Sequence, residues 1–228
     1  MITRNAYLKG YCRTKGKRLG LCSSAEFLNQ MCQESHFRII KTVRLGLNVA
    51  QKRFLDPETS EGLKMIYIAR DPRGLYNSRL HRDWCVAEKR CISPQKICQD
   101  LESDFWTAKA LASDHMNDLM VLRYEDFSLD IWNKSQEVFN FLGFGLTEAS
   151  KKFLIDHTQK EKYKAKPEVW NTFRNPKDTP FHWRESLTWD QILQVQKDCH
   201  QVLKLWGYRV INTKEDLKIN PLLKFNLD

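Results

Sequence analysis

No run of this chain approaches the roughly 18 consecutive apolar residues that a membrane-crossing helix requires, and its first residues lack the apolar core of a secretory leader. Its seven cysteines, Cys12, Cys22, Cys32, Cys85, Cys91, Cys98 and Cys199, include no C-x-x-C pair and stand at no zinc-type spacing with histidine, which argues against a zinc function and leaves no metal site to assign. G-x-x-x-x-G-K-[ST] does not occur, so the phosphate loop of kinases and related phosphotransferases is missing. Repeats and low-complexity tracts are missing too. An odd cysteine count fits either a reduced protein or one with paired cysteines and a spare thiol. The one glycosylation sequon, Asn133-Lys134-Ser135, leans towards the second.

What is present is enough for one domain: 228 residues, 42% of them hydrophobic, with no break in composition. Lys and Arg number 37 against 28 Asp and Glu, and the net charge of +9 favours an anionic partner such as nucleic acid, a phosphorylated cofactor or an acidic polymer. The basic clusters at Arg13 to Arg18 and Lys160 to Lys166 read as solvated loops. No recognition-helix or aromatic-strand motif accompanies them, so no nucleic-acid partner is expected.

Three short runs rich in β-branched and aliphatic residues predict buried strands: Phe37 to Thr42, Lys64 to Ala69 and Leu119 to Leu122. Helical spacing follows in Leu101, Phe105, Ala108, Ala112 and Met116, and again in Ile131, Val138, Phe139 and Leu142. Near the C-terminus Thr188 and Gln191 form a capping-box pattern ahead of an apolar face from Ile192 to Trp206, and Gly207 supplies a stop. The tail from Asn212 to Asp228 reads as a weakly ordered polar end with a few apolar anchors. Buried strands alternating with helices predict an α/β fold, a parallel sheet covered on both faces with its middle strand ending at Ala69. Ligands of such sheets bind beyond the carboxyl ends of the strands, which directs attention to Lys41 to Arg44, Arg70 to Ser78 and Arg123 to Phe127.

In Ile68-Ala69-Arg70-Asp71-Pro72-Arg73 a strand ends at a charged turn, and Pro72 suits the first turn of a helix because its missing N–H would be unpaired there. Arg70 offers a planar fork of donors to a phosphate, and Ser78, eight residues on, is about two turns into that helix. Taken singly, Arg70 could pair with Asp71 or a surface carboxylate, and Ser78 could simply be solvated. The whole string, with Arg79 beyond it, resembles the 3′-phosphate-binding segment of sulfotransferases. Further segments agree: Phe37 to Arg44 with its Lys41-Thr42; Leu122-Arg123-Tyr124-Glu125-Asp126-Phe127, followed by a helix ending Phe141-Leu142-Gly143; and Trp183 to Leu187 with Leu205 to Arg209. As a set, in order from about Phe37 to Arg209, they are similar to the membrane-bound Golgi carbohydrate sulfotransferases.

This resemblance implies a three-layer, P-loop-like sulfotransferase fold and transfer of a sulfuryl group from PAPS, the 3′-phosphoadenylyl sulfate donor, to a hydroxyl of a glycan or proteoglycan sugar, in the manner of GlcNAc/Gal 6-O-sulfotransferases. Carried over by position, it makes Arg70 and Ser78 the 3′-phosphate ligands, Tyr124 a contact to the adenine side, and Arg174 and Lys177 part of a basic loop on the same phosphate. Lys41 matches the lysine beside the leaving phosphate, whereas Val43 stands where soluble members carry a histidine. The family's Ser-Gly-Ser/Thr loop for the 5′-phosphosulfate is not found. Lys9-Gly10 and Lys17 to Gly20 have its composition but not its order. The expectation is therefore an N-terminally incomplete domain, with a Golgi location on the lumenal side and a membrane anchor absent from this chain, binding the nucleotide but transferring little sulfate. The alternative is a non-catalytic remnant that keeps only the 3′-phosphate half of the site.

Overall fold

The computed structural model describes residues 23–43, 45–54, 62–114, 118–158 and 175–227. The chain divides into two compact units, Met1–Arg44 and Leu45–Asp228. In the first, helix α1 (Ala25–Gln33) starts at Ser24, whose hydroxyl accepts the Phe27 N–H at 3.3 Å. The strand predicted over Phe37–Thr42 is not formed, and Ile39 is 92% exposed. Strand propensity expresses packing on a pleated, half-buried surface. Side chains as exposed as these gain none of it.

Among its described residues the second unit carries two strands, β1 (Met65–Ala69) and β2 (Leu119–Arg123), paired in parallel with Met65 opposite Leu119 and Ala69 opposite Arg123. The strand ending at Ala69 is thus parallel to the Leu119 strand as expected, but in the two-stranded sheet of the described residues it is not a middle strand, since the Phe37 strand that would flank it is not formed. The helices are α2 (Leu47–Phe54), α3 (Pro72–Leu80), α4 (Asp83–Val86), α5 (Pro94–Asp114), α6 (Tyr124–Leu129), α7 (Ile131–Phe141), α8 (Glu148–Thr158), α9 (Trp183–Ser186), α10 (Trp189–Asp198) and α11 (His200–Leu205). Of the apolar helix positions read from the sequence, Met116 lies outside the described residues.

Alternation along the strands divides the sheet's faces. Tyr67, Ala69 and Val121 pack into the main core with Leu101 and Phe105 of α5 and Val202 and Leu203 of α11. Ile66, Ile68 and Leu122 face the other way and line a cavity of about 190 Å³ with Tyr124, Phe127 and Val138. Helices therefore flank the sheet, α5 and α11 closing over the first face while the second is only partly covered, Ile68 remaining 60% exposed.

Trp206 anchors the main core. It is fully buried, its indole N–H donates to the Leu101 carbonyl at 3.0 Å, and its ring meets Tyr67, Phe105 and Phe225 at 5.3 to 5.9 Å between centroids. The predicted capping box is present, with Thr188 N–H to Gln191 Oε1 at 2.9 Å and Gln191 N–H to Thr188 Oγ1 at 3.3 Å. The helix it opens breaks at Cys199, where φ is −106° and ψ 15°, and resumes as α11. Gly207 ends α11 at φ +67°, and a Cβ there would stand 2.9 Å from Arg123 Nη1, so both conformation and space require glycine.

The tail is not loose. Arg209 N–H donates to the Pro221 carbonyl at 2.7 Å, Leu223 N–H to the Gly207 carbonyl at 2.8 Å, and Phe225 stacks on Trp206. Disulfides join Cys85 to Cys91 and Cys98 to Cys199, and Cys32 is a free, exposed thiol. Trp206→Ala removes the ring that three others meet and should cost about 3–5 kcal/mol, read from urea unfolding. A loss below about 1 kcal/mol would show that the core closes without it.

Candidate functional site

Contacts between the two segments continue beyond the ends of the strands. Ala69 faces Arg123, and the next pair is Arg70 with Tyr124, the guanidinium carbon standing 4.9 Å from the ring centroid. The pair after that is Asp71 with Glu125, where the Asp71 N–H donates to Glu125 Oε1 at 3.0 Å. The strand ends are thus stitched by one stacked contact and one buried hydrogen bond.

Asp71 caps α3 by accepting the Arg73 N–H at 2.9 Å, and Pro72 takes the first helical position as predicted. Asp71 also grips the Arg73 side chain with both oxygens, Oδ1 to Nε at 2.9 Å and Oδ2 to Nη2 at 2.7 Å. Arg73 is fully buried. Its Nη1 donates to Gln196 Oε1 and to the Arg209 carbonyl, both at 3.0 Å, and its plane lies 4.2 Å from the Trp183 ring. The partner that sequence reasoning offered to Arg70 therefore belongs to Arg73.

Glu125 is also fully buried, and its second oxygen accepts the Tyr208 hydroxyl at 2.8 Å. Burial first, and then the charge of Asp71, push its carboxyl up to about 7, against the pull of the Asp71 N–H and the Tyr208 O–H. Arg123 has a different task. It holds Asp126 through two bonds of 2.6 and 2.9 Å and donates Nη1 to the carbonyls of Trp206, Gly207 and Leu223 at 2.8 to 3.1 Å. It closes the end of α11 and ties the tail to β2.

Among the described residues, the buried side-chain atoms without a hydrogen-bond partner are Arg70 Nε, Trp183 Nε1, Asn77 Oδ1 and Arg184 Nε. Two of these donors flank Gly74. A Cβ built on Gly74 would lie 3.2 Å from Arg70 Nε, 3.3 Å from Trp183 Cδ1 and 3.5 Å from the Pro180 carbonyl. Arg70 therefore has Tyr124 on one side and the bare backbone of α3 on another, with an N–H still to give. Such an arrangement suits an acceptor-rich anion.

The sulfotransferase domain family matches residues 5–207. This chain belongs to that family. It is 30% identical to carbohydrate sulfotransferase 1 of Mus musculus over 208 residues, covering 85% of this chain and 50% of that protein. It is also 26% identical to carbohydrate sulfotransferase 3 of Tetronarce californica, covering 80% of this chain and 44% of that one, and 25% identical to carbohydrate sulfotransferase 2 of Mus musculus, covering 82% and 42%. The chain spans about half the length of the curated relatives it matches.

Within this sulfotransferase domain the residues named from sequence are distributed unevenly. Arg70 and Tyr124 are in contact. Ser78 is partly buried on α3, about two turns from Pro72, and its hydroxyl makes no hydrogen bond among the described residues. Lys177 is exposed in the turn before the 3₁₀ turn Thr179–Phe181, and its N–H donates to Asn175 Oδ1 at 3.1 Å. Arg174 lies outside the described residues. Lys41 is exposed in the first unit. The larger cavity, about 460 Å³ and lined by residues including Phe127, Val138, Phe139, Phe153 and Leu154, is apolar and holds none of the named residues.

Sequence reasoning passed over Asp71, Arg73, Glu125, Trp183 and Tyr208. A signal existed for Asp71, since Asp before Pro is a helix-start pattern. None existed for Arg73, whose acceptors are 123 and 136 residues away. Arg73→Ala should destabilise the fold by about 3–5 kcal/mol, because Asp71 would remain buried with its charge uncompensated. Chemical denaturation measures this, and a change under about 1 kcal/mol would mean that water enters and replaces the guanidinium.

Proposed function

We propose that this chain is the nucleotide-binding part of a PAPS-dependent carbohydrate sulfotransferase that moves a sulfuryl group to a hydroxyl of a glycan sugar, of the GlcNAc/Gal 6-O type. The observation that carries this reading is the partly exposed Arg70, its buried Nε without a protein acceptor, set between Tyr124 and Gly74 at the carboxyl end of a parallel strand. Ligands of open parallel sheets bind at this end. The relatives' names support the carbohydrate acceptor, and nothing in the comparisons favours a non-catalytic remnant.

The residues fit the donor's nucleotide end. Arg70 would give its guanidinium N–H groups to the 3′-phosphate, Ser78 its hydroxyl, and Tyr124 a contact to the adenine side, while Arg174 and Lys177 would bring positive charge from the loop before Trp183. When bound, the donor supplies an activated sulfuryl group on a phosphosulfate. Lys41, carried over by family pattern, would offset the charge that builds on the departing oxygen. A Golgi-lumenal setting with a glycan or proteoglycan partner, including glycosaminoglycan types, accords with the two disulfides, which form and persist in oxidising compartments. No described helix is long and apolar enough to cross a membrane.

Calorimetry with adenosine 3′,5′-bisphosphate tests this reading. Arg70→Ala should weaken binding by about ten- to a hundredfold, the worth of one charge-assisted hydrogen bond, and Ser78→Ala by about five- to tenfold. Unchanged affinity in Arg70→Ala would remove the 3′-phosphate assignment. Radiolabelled sulfate transfer to keratan- or chondroitin-type acceptors reports the acceptor class.

A further inference from the structure

We infer that Glu125 is a positioning residue for the anion site, holding Arg70 and Tyr124 in register from beneath and lowering the site's anion affinity whenever it carries its charge. This rests on reading Arg70 as the 3′-phosphate ligand. The geometry is direct. Arg70 and Tyr124 each precede, by one residue, the partners of the buried Asp71–Glu125 bond of 3.0 Å. Movement of that bond therefore moves both members of the stacked pair. The other oxygen of Glu125 is fixed by Tyr208 at 2.8 Å, and Tyr208 is itself buried in the main core. Glu125 thus transmits the position of the C-terminal segment to the strand ends.

The charge of Glu125 is exposed to few neighbours. Asp71 faces it from the head of α3 and Tyr208 from the C-terminal segment, with Arg123 at the end of β2 5.5 Å from the Tyr208 ring. Arg73 lies behind Asp71 and is paired with it. The Thr179–Phe181 turn, packed on α6, brings no charged side chain, and on α7 Lys134 and Glu137 pair with each other at 2.7 Å. Among the described residues no cation forms an ion pair with Glu125 itself. A buried carboxylate without one is costly to ionise.

Sign follows from this arrangement. Burial and Asp71 raise the folded-state carboxyl to about 7 from its ordinary 4.5, so the folded protein takes up a proton that the unfolded chain releases. The associated stability is fully present below about pH 4.5 and is lost as pH rises through about 7. An anion on Arg70 adds negative charge at the neighbouring position of the same strand end, which favours the protonated form further. By reciprocity, protonated Glu125 favours the anion. Affinity should fall as pH rises through 7.

Glu125→Gln isolates this effect. Its amide oxygen can still accept the Asp71 N–H and its NH₂ can donate to the Tyr208 oxygen, so the support stays and the charge does not. With adenosine 3′,5′-bisphosphate as probe, calorimetry at pH 6 and pH 8 should show affinity falling about fivefold more in the wild-type chain than in Glu125→Gln. The phosphates' own titration is common to both proteins and cancels. Glu125→Ala, checked for native circular dichroism, should bind about tenfold more weakly than Glu125→Gln at both pH values, since both lack the charge and only the alanine variant lacks the support. A purely structural glutamate would change stability and leave the pH slope alone. Parallel slopes in the wild type and Glu125→Gln would overturn the proposal, and that comparison decides even where Glu125→Ala does not fold. Absence of binding by the wild-type chain would overturn the phosphate reading and this proposal with it.

Discussion

The cost of burying the Arg73 guanidinium sets the arrangement around it. A charge taken fully out of water must find all its partners inside the protein, or the fold loses several kcal/mol. Arg73 finds them in three separate parts of the chain: Asp71 two residues away, Gln196 on α10 and the carbonyl of Arg209 beyond α11. Gln196 can serve because its own amide is fixed on Ile211, accepting from the N–H at 2.7 Å and donating to the carbonyl at 2.9 Å. Removing any one member leaves a buried polar group unmatched. The start of α3, and with it the strand end carrying Arg70, is consequently held by residues from the far end of the sequence.

The passage from strand end to helix start separates two kinds of work within the same short motifs. In Arg70-Asp71-x-Arg73, the first residue keeps a free donor and stacks on an aromatic ring, whereas the other two are consumed in a buried pair. Arg123-Tyr124-Glu125-Asp126 behaves similarly. Arg123 and Asp126 close the end of the C-terminal helix, Glu125 supports the neighbouring strand end, and Tyr124 alone meets Arg70. Most of the charge in these motifs is architectural.

Local signals in the sequence located what local physics decides. The apolar runs ending at Ala69 and Leu122, the Thr188–Gln191 capping box and the stop at Gly207 are each set by a few adjacent residues, and each was legible. Phe37–Thr42 has equal propensity but not the packing that propensity stands for. The break at Cys199 was hidden for another reason, since this residue must reach Cys98 on α5 while the helix around it keeps its apolar face inward. Within the site, the family pattern named Arg70, Ser78 and Tyr124, of which Arg70 and Tyr124 are in contact, but nothing adjacent to Arg73 or Glu125 revealed which charges would be buried. That depended on Gln196 and Tyr208, both far along the chain.

The two disulfides differ in when they can exist. Cys85 and Cys91 are separated by 6 residues, and Cys98 and Cys199 by 101. The longer ring restricts the unfolded chain more, by about 4–5 kcal/mol on a chain-entropy view, and it encloses β2, Tyr124 and Glu125. During synthesis the small ring can close almost as soon as its residues emerge from the ribosome, whereas the large one must wait until the chain has grown 101 residues past Cys98. The strand end bearing Tyr124 and Glu125 is therefore the last part of this region to come under covalent constraint, and an oxidase acting too early would meet Cys98 with its proper mate not yet translated.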